Sequence, residues 1–146
     1  MINEIIHAMS VAIDAEFNTG QTDAYEIYDK EITQLLEAPA FYIQSINSDT
    51  RLFFGRLYLT HNHFVVQYFP ALADGYQEEC NTVGEKLIWV LEWITCENDT
   101  RPICGTNMHF EVVDGVLNFF VDYEFFVLKS EQKDMMGTLE IEQTAN

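Results

Sequence analysis

The sequence predicts an α+β fold: a mainly antiparallel sheet of about six strands with two helices packed on one face. Three observations predict it. Two segments carry apolar residues at helical spacing, several short runs are rich in aromatic and β-branched residues, and an Asp-Gly pair marks a hairpin turn. The predicted order is α-β-β-β-β-α-β-β.

The first helix is predicted over residues 2–17, where Ile, Met and Phe recur at the spacing of one helical face. The turn-forming run 18–20 ends it. Strands are predicted at 23–29 and 40–47. The connection at 30–39 is either irregular or one helical turn.

A hairpin is predicted over residues 51–70, turning at His61-Asn62. This register places Leu57 opposite Val66 on an apolar face and Tyr58 opposite Val65 on the other face. Both histidines of the THNH stretch are then expected to be turn residues.

The second helix is predicted to follow Asp74, which with Gln77 resembles a capping box. Its inner stripe ends near Ile94. Trp89 and Trp93, four residues apart, form a second ridge that we expect to be covered.

The last hairpin is predicted to turn at Asp114-Gly115. This turn pairs Val112 with Leu117, Phe110 with Phe119 and Met108 with Val121. The strand 116–128 has an apolar face with Phe119, but its other face mixes polar residues with Phe120 and Phe126. An exposed surface of this composition is typical of a protein–protein interface. The alternative is a second covering layer, formed by 30–39 or by the C-terminal tail.

The charge and motifs exclude several function classes. A net charge of −17 opposes binding to nucleic acid, and no apolar run is long enough for a membrane span. His61 and His63 have no third metal ligand at a motif spacing, and Asp122 with Glu124 is a chance pair among 24 acids. Three cysteines form no CxxC pair. We therefore predict no enzymatic activity, no metal and no cofactor.

Several segments resemble, in this order along the chain, the tail terminator (tail completion) proteins of Firmicutes phages and prophages: INEIIHAMSVAIDAEFN, EIYDKEI, APAFYIQSIN, RLFFGRLYLTHNHFVVQYFP and FEVVDGVLNFFVDYEFFV. The resemblance implies a structural virion protein of the tail, assembled in the host cytoplasm. It would form a hexameric ring on the end of the tail tube. The ring would end tube polymerisation and bind the head connector. DNA would pass through the lumen unbound. The resemblance implies no catalytic residues.

We expect one domain over 1–129, followed by a polar tail over 130–146 that is flexible or becomes ordered on assembly. The strand faces and the scarcity of basic residues suggest an interface with other subunits or the tube, formed by Arg51, Phe54, Arg56, Tyr58, His61, His63, Phe69, Phe120 and Phe126. Two alternatives stay open. One is a head–tail connector or neck protein, and the other is a ligand-binding domain with Tyr58, Tyr123 or Asp122 in an aromatic pocket.

Overall fold

The computed structural model describes residues 1–19, 25–30, 36–71 and 73–130, together with the backbone of 139–141. It confirms the predicted fold class, with two helices and a mostly antiparallel sheet. The elements in chain order are α1 (Ile2–Phe17), β1 (Glu26–Tyr28), β2 (Ala40–Phe54), β3 (Leu57–Phe69), α2 (Tyr76–Val90), β4 (Trp93–Ile94), β5 (Ile103–Val113), β6 (Val116–Lys129) and β7 (Leu139–Ile141).

The strands lie side by side in the order β1-β2-β3-β6-β5-β4. Among the strands that the structure describes, β1 and β2 are the one parallel pair. The β5 ladder along β6 ends at Tyr123, and β7 pairs farther along the same strand, at Val127 to Lys129. The described part of the C-terminal tail is thus paired with its own chain, while the predicted domain boundary at 129 stays a prediction.

Both helices pack on one face of the sheet. In α1, Ile5, Met9 and Ile13 are fully buried, as the helical spacing predicts. In β6, every second residue from Leu117 to Val127 is buried, so the predicted core face of this strand is confirmed. The core therefore lies between the two helices and one sheet face.

The predicted turn at His61-Asn62 is wrong. Strand β2 continues to Phe54, and the chain turns at Gly55-Arg56. Gly55 has φ +60°, which fits the first position of a type II′ hairpin turn, where glycine is favoured. The two histidines therefore lie in the middle of β3.

The cause of the error is that polar side chains occupy the buried face of β3. Thr60 and Asn62 are fully buried, with hydrogen bonds from Thr50 Oγ1 to Thr60 Oγ1 and from Asn62 Nδ2 to the Tyr123 carbonyl oxygen. Because the strand is regular here, Tyr58 shares the core face and does not lie opposite Val65.

The helix α2 begins without the predicted capping box. Gly75 is the N-cap residue, in the left-handed conformation, and no side chain caps the helix. Trp89 and Trp93 are also not covered, because they are 73% and 57% exposed. The helix ends at Val90, and Trp93 belongs to the short strand β4.

The second hairpin turn is where the sequence predicts it. Asp114 and Gly115 both have positive φ, at 52° and 77°, as a type I′ turn requires. The predicted pairs Val112–Leu117 and Phe110–Phe119 are confirmed. A bulge between Thr106 and His109 displaces Met108 from its predicted pairing with Val121.

Candidate interaction surface

The sheet face that points away from both helices is the candidate site, and we call it the open face. It is formed by alternate residues of the central strands, and no helix of the described residues packs on it. Strand register assigns to it Tyr42, Gln44, Asn47, Asp49 and Arg51 of β2, Leu59, His61, His63, Val65, Gln67 and Phe69 of β3, and Asn118, Phe120, Asp122, Glu124 and Phe126 of β6. Apolar and polar side chains are thus mixed on one face.

Hydrogen bonds between side chains cross this face from strand to strand. Gln44 Nε2 donates to Gln67 Oε1 at 3.1 Å, and Gln67 Nε2 donates to Asn118 Oδ1 at 3.0 Å. These amides belong to three neighbouring strands and are half-buried. The polar part of the open face is therefore ordered before any partner binds.

One aromatic residue of β6 lies between this amide row and the histidines, and another lies beyond the histidines. The ring of Phe120 stacks on His109 of β5, with centroids 4.8 Å apart. At the far end, Phe126 contacts Phe53 edge to face at 4.9 Å. Phe120 and Phe126 are half-buried. Their rings are therefore held in place by neighbours and still offer apolar area to a partner.

Two histidines and several carboxylates meet near the centre of the open face. The rings of His61 and His63 stack, with centroids 4.5 Å apart. His63 Nδ1 lies 2.6 Å from Asp122 Oδ1, and His61 Nδ1 lies 3.3 Å from Glu124 Oε2. Asp49 of β2 pairs directly with His61. Acids near the histidines were not expected from motif spacing, because they come from other strands.

The environment of Asp122 holds its pKa below the ordinary value. Burial alone would raise it, but hydrogen bonds from Asn107 and His63 and the charge of His63 lower it more. The side-chain Nδ2 of Asn107 donates to Asp122 Oδ2 at 2.9 Å, because the β5 bulge gives Asn107 a positive φ of 51°. Asp122 is thus held in the charged form beside the two imidazoles.

The outer part of the β2–β3 hairpin projects from the core, and we call residues 45–54 and the turn that follows the hairpin arm. Every residue from Ser45 to Phe54 is exposed. Leu52, Phe53 and Phe54 are 58%, 58% and 78% exposed. Three adjacent large apolar side chains in water are unusual for a part of a fold with no partner.

One edge of the hairpin arm is also open. Strand β1 pairs with β2 only from Ala40 to Tyr42, so within the described residues the rest of β2 has backbone pairing on its β3 side alone. At the tip, Arg56 Nη1 donates to the Lys129 carbonyl oxygen at 2.6 Å, and the Lys129 amide donates to the Arg56 carbonyl. The tip is therefore fixed to the end of β6.

The structure brings most of the predicted interface residues to one region. Six lie on the open face: Arg51, His61, His63, Phe69, Phe120 and Phe126. Phe54 and Arg56 lie at the arm tip. The predicted position of Tyr58 is corrected, because this residue lies on the core face of β3 and not on the open face. That they form an interface stays a prediction.

Leu52, Phe53 and Trp89 were missed among the exposed apolar residues. A signal for the first two was present in the sequence, because a two-residue loop beginning with glycine, Gly55-Arg56, is a hairpin signature.

The three residues named for the aromatic pocket of the ligand-binding alternative do not share one face of the sheet. Tyr123 is fully buried on the core face, and its hydroxyl donates to the Leu91 carbonyl oxygen at 2.6 Å, whereas Asp122 is on the open face. A cleft of about 610 Å³ does lie between Pro70, Tyr76 and Val116. It contains none of the residues named for that pocket.

Among the described residues, neither helix is long and apolar enough to cross a membrane.

A family model described as "Phage tail terminator protein" matches residues 4–135, a range that includes α2, strands β1 to β6 and all of α1 except its first two residues. A search of the curated proteins finds no match. The family resemblance seen in the sequence is confirmed, whereas the Firmicutes origin stays a prediction.

Proposed function

The chain belongs to the family of phage tail terminator proteins, and from this premise we propose that it forms a ring of six copies on the end of the finished tail tube. The ring ends tube polymerisation and presents its other side to the head connector protein. The family is one of structural tail proteins, in keeping with a location in the virion tail and with a role other than catalysis.

The hairpin arm is the observation that carries this proposal. A strand with an unpaired edge is a template for pairing with another chain. In β2, the edge that no described strand pairs beyond Tyr42 lies beside three exposed apolar side chains, at Leu52, Phe53 and Phe54. The arm also carries Arg51 and Arg56, two of only seven basic residues in the chain. A neighbouring acidic subunit or the tube offers complementary charge.

The net charge favours a subunit that stays monomeric until it binds the end of the tube. Six copies carry about −102, six times the −17 of one chain, so free subunits repel each other, most strongly at low salt. Contacts supplied by the tube overcome this repulsion at the one place where a ring is needed. An acidic lumen lets DNA pass without binding.

The first test is the absolute mass of the purified chain, measured by light scattering after gel filtration at low and at near-molar salt. We expect a monomer at low salt and higher-order species when the charge is screened. Purified tail tubes are then mixed with the chain and examined by electron microscopy for density at one tube end. A chain that is monomeric at every salt and leaves the tube ends bare would contradict the proposal.

A further inference from the structure

Although motif spacing alone predicts no metal, we propose that His61, His63 and Asp49 form a binding site for Zn²⁺ on the open face. One donor atom from each of the three side chains can be chosen so that all lie within 4.8 Å of one another. Two imidazoles and a carboxylate are a ligand set suited to zinc. This inference concerns a single chain and does not depend on ring formation.

Strand geometry explains why these three residues converge. His61 and His63 are two apart on β3, so their side chains leave the same side of the sheet. Asp49 is the direct cross-strand partner of His61 in β2. Directly opposite residues have Cβ atoms about 5 Å apart. The site is therefore a product of the β2–β3 register.

Hydrogen bonds from residues outside the three proposed ligands orient the His63 imidazole for metal binding. The contact of His63 Nδ1 with Asp122 Oδ1 at 2.6 Å occupies that nitrogen, which leaves Nε2 for the ion. A carboxylate on the remote nitrogen is a common partner of a metal-bound histidine, because it fixes the ring and raises its basicity. Asn107 in turn donates to Asp122, so the orienting carboxylate is itself held.

One nitrogen at this site has no hydrogen-bond partner among the described residues. His61 Nε2 is buried as an atom, and the Oδ2 of Asp122 lies 3.5 Å from it. Buried polar atoms nearly always have a partner. An ion bound beside this nitrogen would supply one.

The local charge and access also favour a cation. The carboxylates of Asp49, Asp122 and Glu124 surround two imidazoles that bind metal in the neutral form. The histidine side chains are 31% and 30% exposed, so an ion can reach them from solvent. Nitrogen ligands favour zinc over calcium or magnesium, which prefer oxygen ligands alone.

The test is a titration of the untagged, chelator-treated full chain with ZnCl₂, followed by calorimetry. We expect saturable binding of one ion per chain. The Co²⁺ form gives a second readout, since a tetrahedral site containing nitrogen ligands produces visible absorption. H63A and H61A are each expected to weaken zinc binding at least tenfold. D49N changes an exposed ligand and is expected to weaken binding as well, so it tests the site even if a histidine variant fails to fold.

The matched control is H109A, because His109 is also on the open face but is stacked on Phe120, away from the cluster. Its zinc affinity should equal that of the natural chain. Absence of saturable binding, or an equal loss in H109A and H63A, would overturn the proposal.

Discussion

A substitution in the hairpin arm should weaken association between chains while leaving the fold stable. Phe54→Ser is the change that tests this. Phe54 is 78% exposed at the arm tip, so only about a fifth of its side chain is buried in the single chain. Full burial of a phenylalanine is worth about 1.5–3 kcal/mol. F54S should therefore lower the free energy of unfolding by only about 0.3–0.7 kcal/mol by this scaling.

The effect on association should be much larger. An aromatic side chain that becomes buried at the centre of an interface typically contributes about 2 kcal/mol or more when truncated. A loss of 2 kcal/mol corresponds to about a 30-fold weaker association at each contact. In near-molar salt, light scattering should show F54S as a monomer at concentrations where the natural chain forms higher-order species.

Two control variants make this result interpretable. Trp89→Ser removes an equally exposed aromatic residue, 73% exposed, from the helix layer and should associate normally. Phe119→Ala removes a fully buried ring and should cost about 3–5 kcal/mol in urea unfolding. Normal association of F54S together with loss of association in W89S would refute the assignment of the interface to the arm. Unfolding of F54S on the scale of F119A would show that the arm tip is part of the core.

Three further variants test other parts of the structure. Phe120→Asp should leave the circular dichroism spectrum unchanged but prevent association, because Phe120 is half-buried on the open face against His109. If this variant is unfolded, Phe120 belongs to the core instead. Tyr123→Phe leaves the Leu91 carbonyl buried without its donor and should lower the free energy of unfolding in urea by about 1–2 kcal/mol, so an unchanged midpoint would count against this hydrogen bond. Gly105→Ala places a Cβ 2.7 Å from the same Leu91 carbonyl oxygen and should cost about 1–3 kcal/mol, whereas natural stability would mean that the backbone can shift there.

Much of the fold could be predicted because its signals are local. The helical spacing in 2–17 gave the bounds of α1, and Asp114-Gly115 gave the second turn. The alternation along β6 identified the core face and the mixed open face. Each of these patterns lies within about 16 residues, where hydrophobic period and turn chemistry act directly.

The turn of the first hairpin was predicted at the wrong place, because two local signals competed. Both His61-Asn62 and Gly55-Arg56 permit a turn. The apolar face that pairs Leu57 with Val66 favoured the first, which has polar Thr60 and Asn62 at the turn. The tertiary structure favours Gly55 because the polar side chains find hydrogen-bond partners on the buried face of the sheet. Burial of a polar group is tolerated when such partners exist, and a single segment does not reveal them.

The sequence by itself determined helix α1, the presence of a second helix, the turn at Asp114-Gly115 and the buried face of β6, and it showed that a second face carries aromatic residues. Only the tertiary structure decided which residues share that second face. His63 meets Asp122 although 59 residues separate them, and His61 meets Asp49 only because β2 continues past residues 48–50. Such meetings depend on strand register, and register is set by long-range pairing rather than by neighbours along the chain.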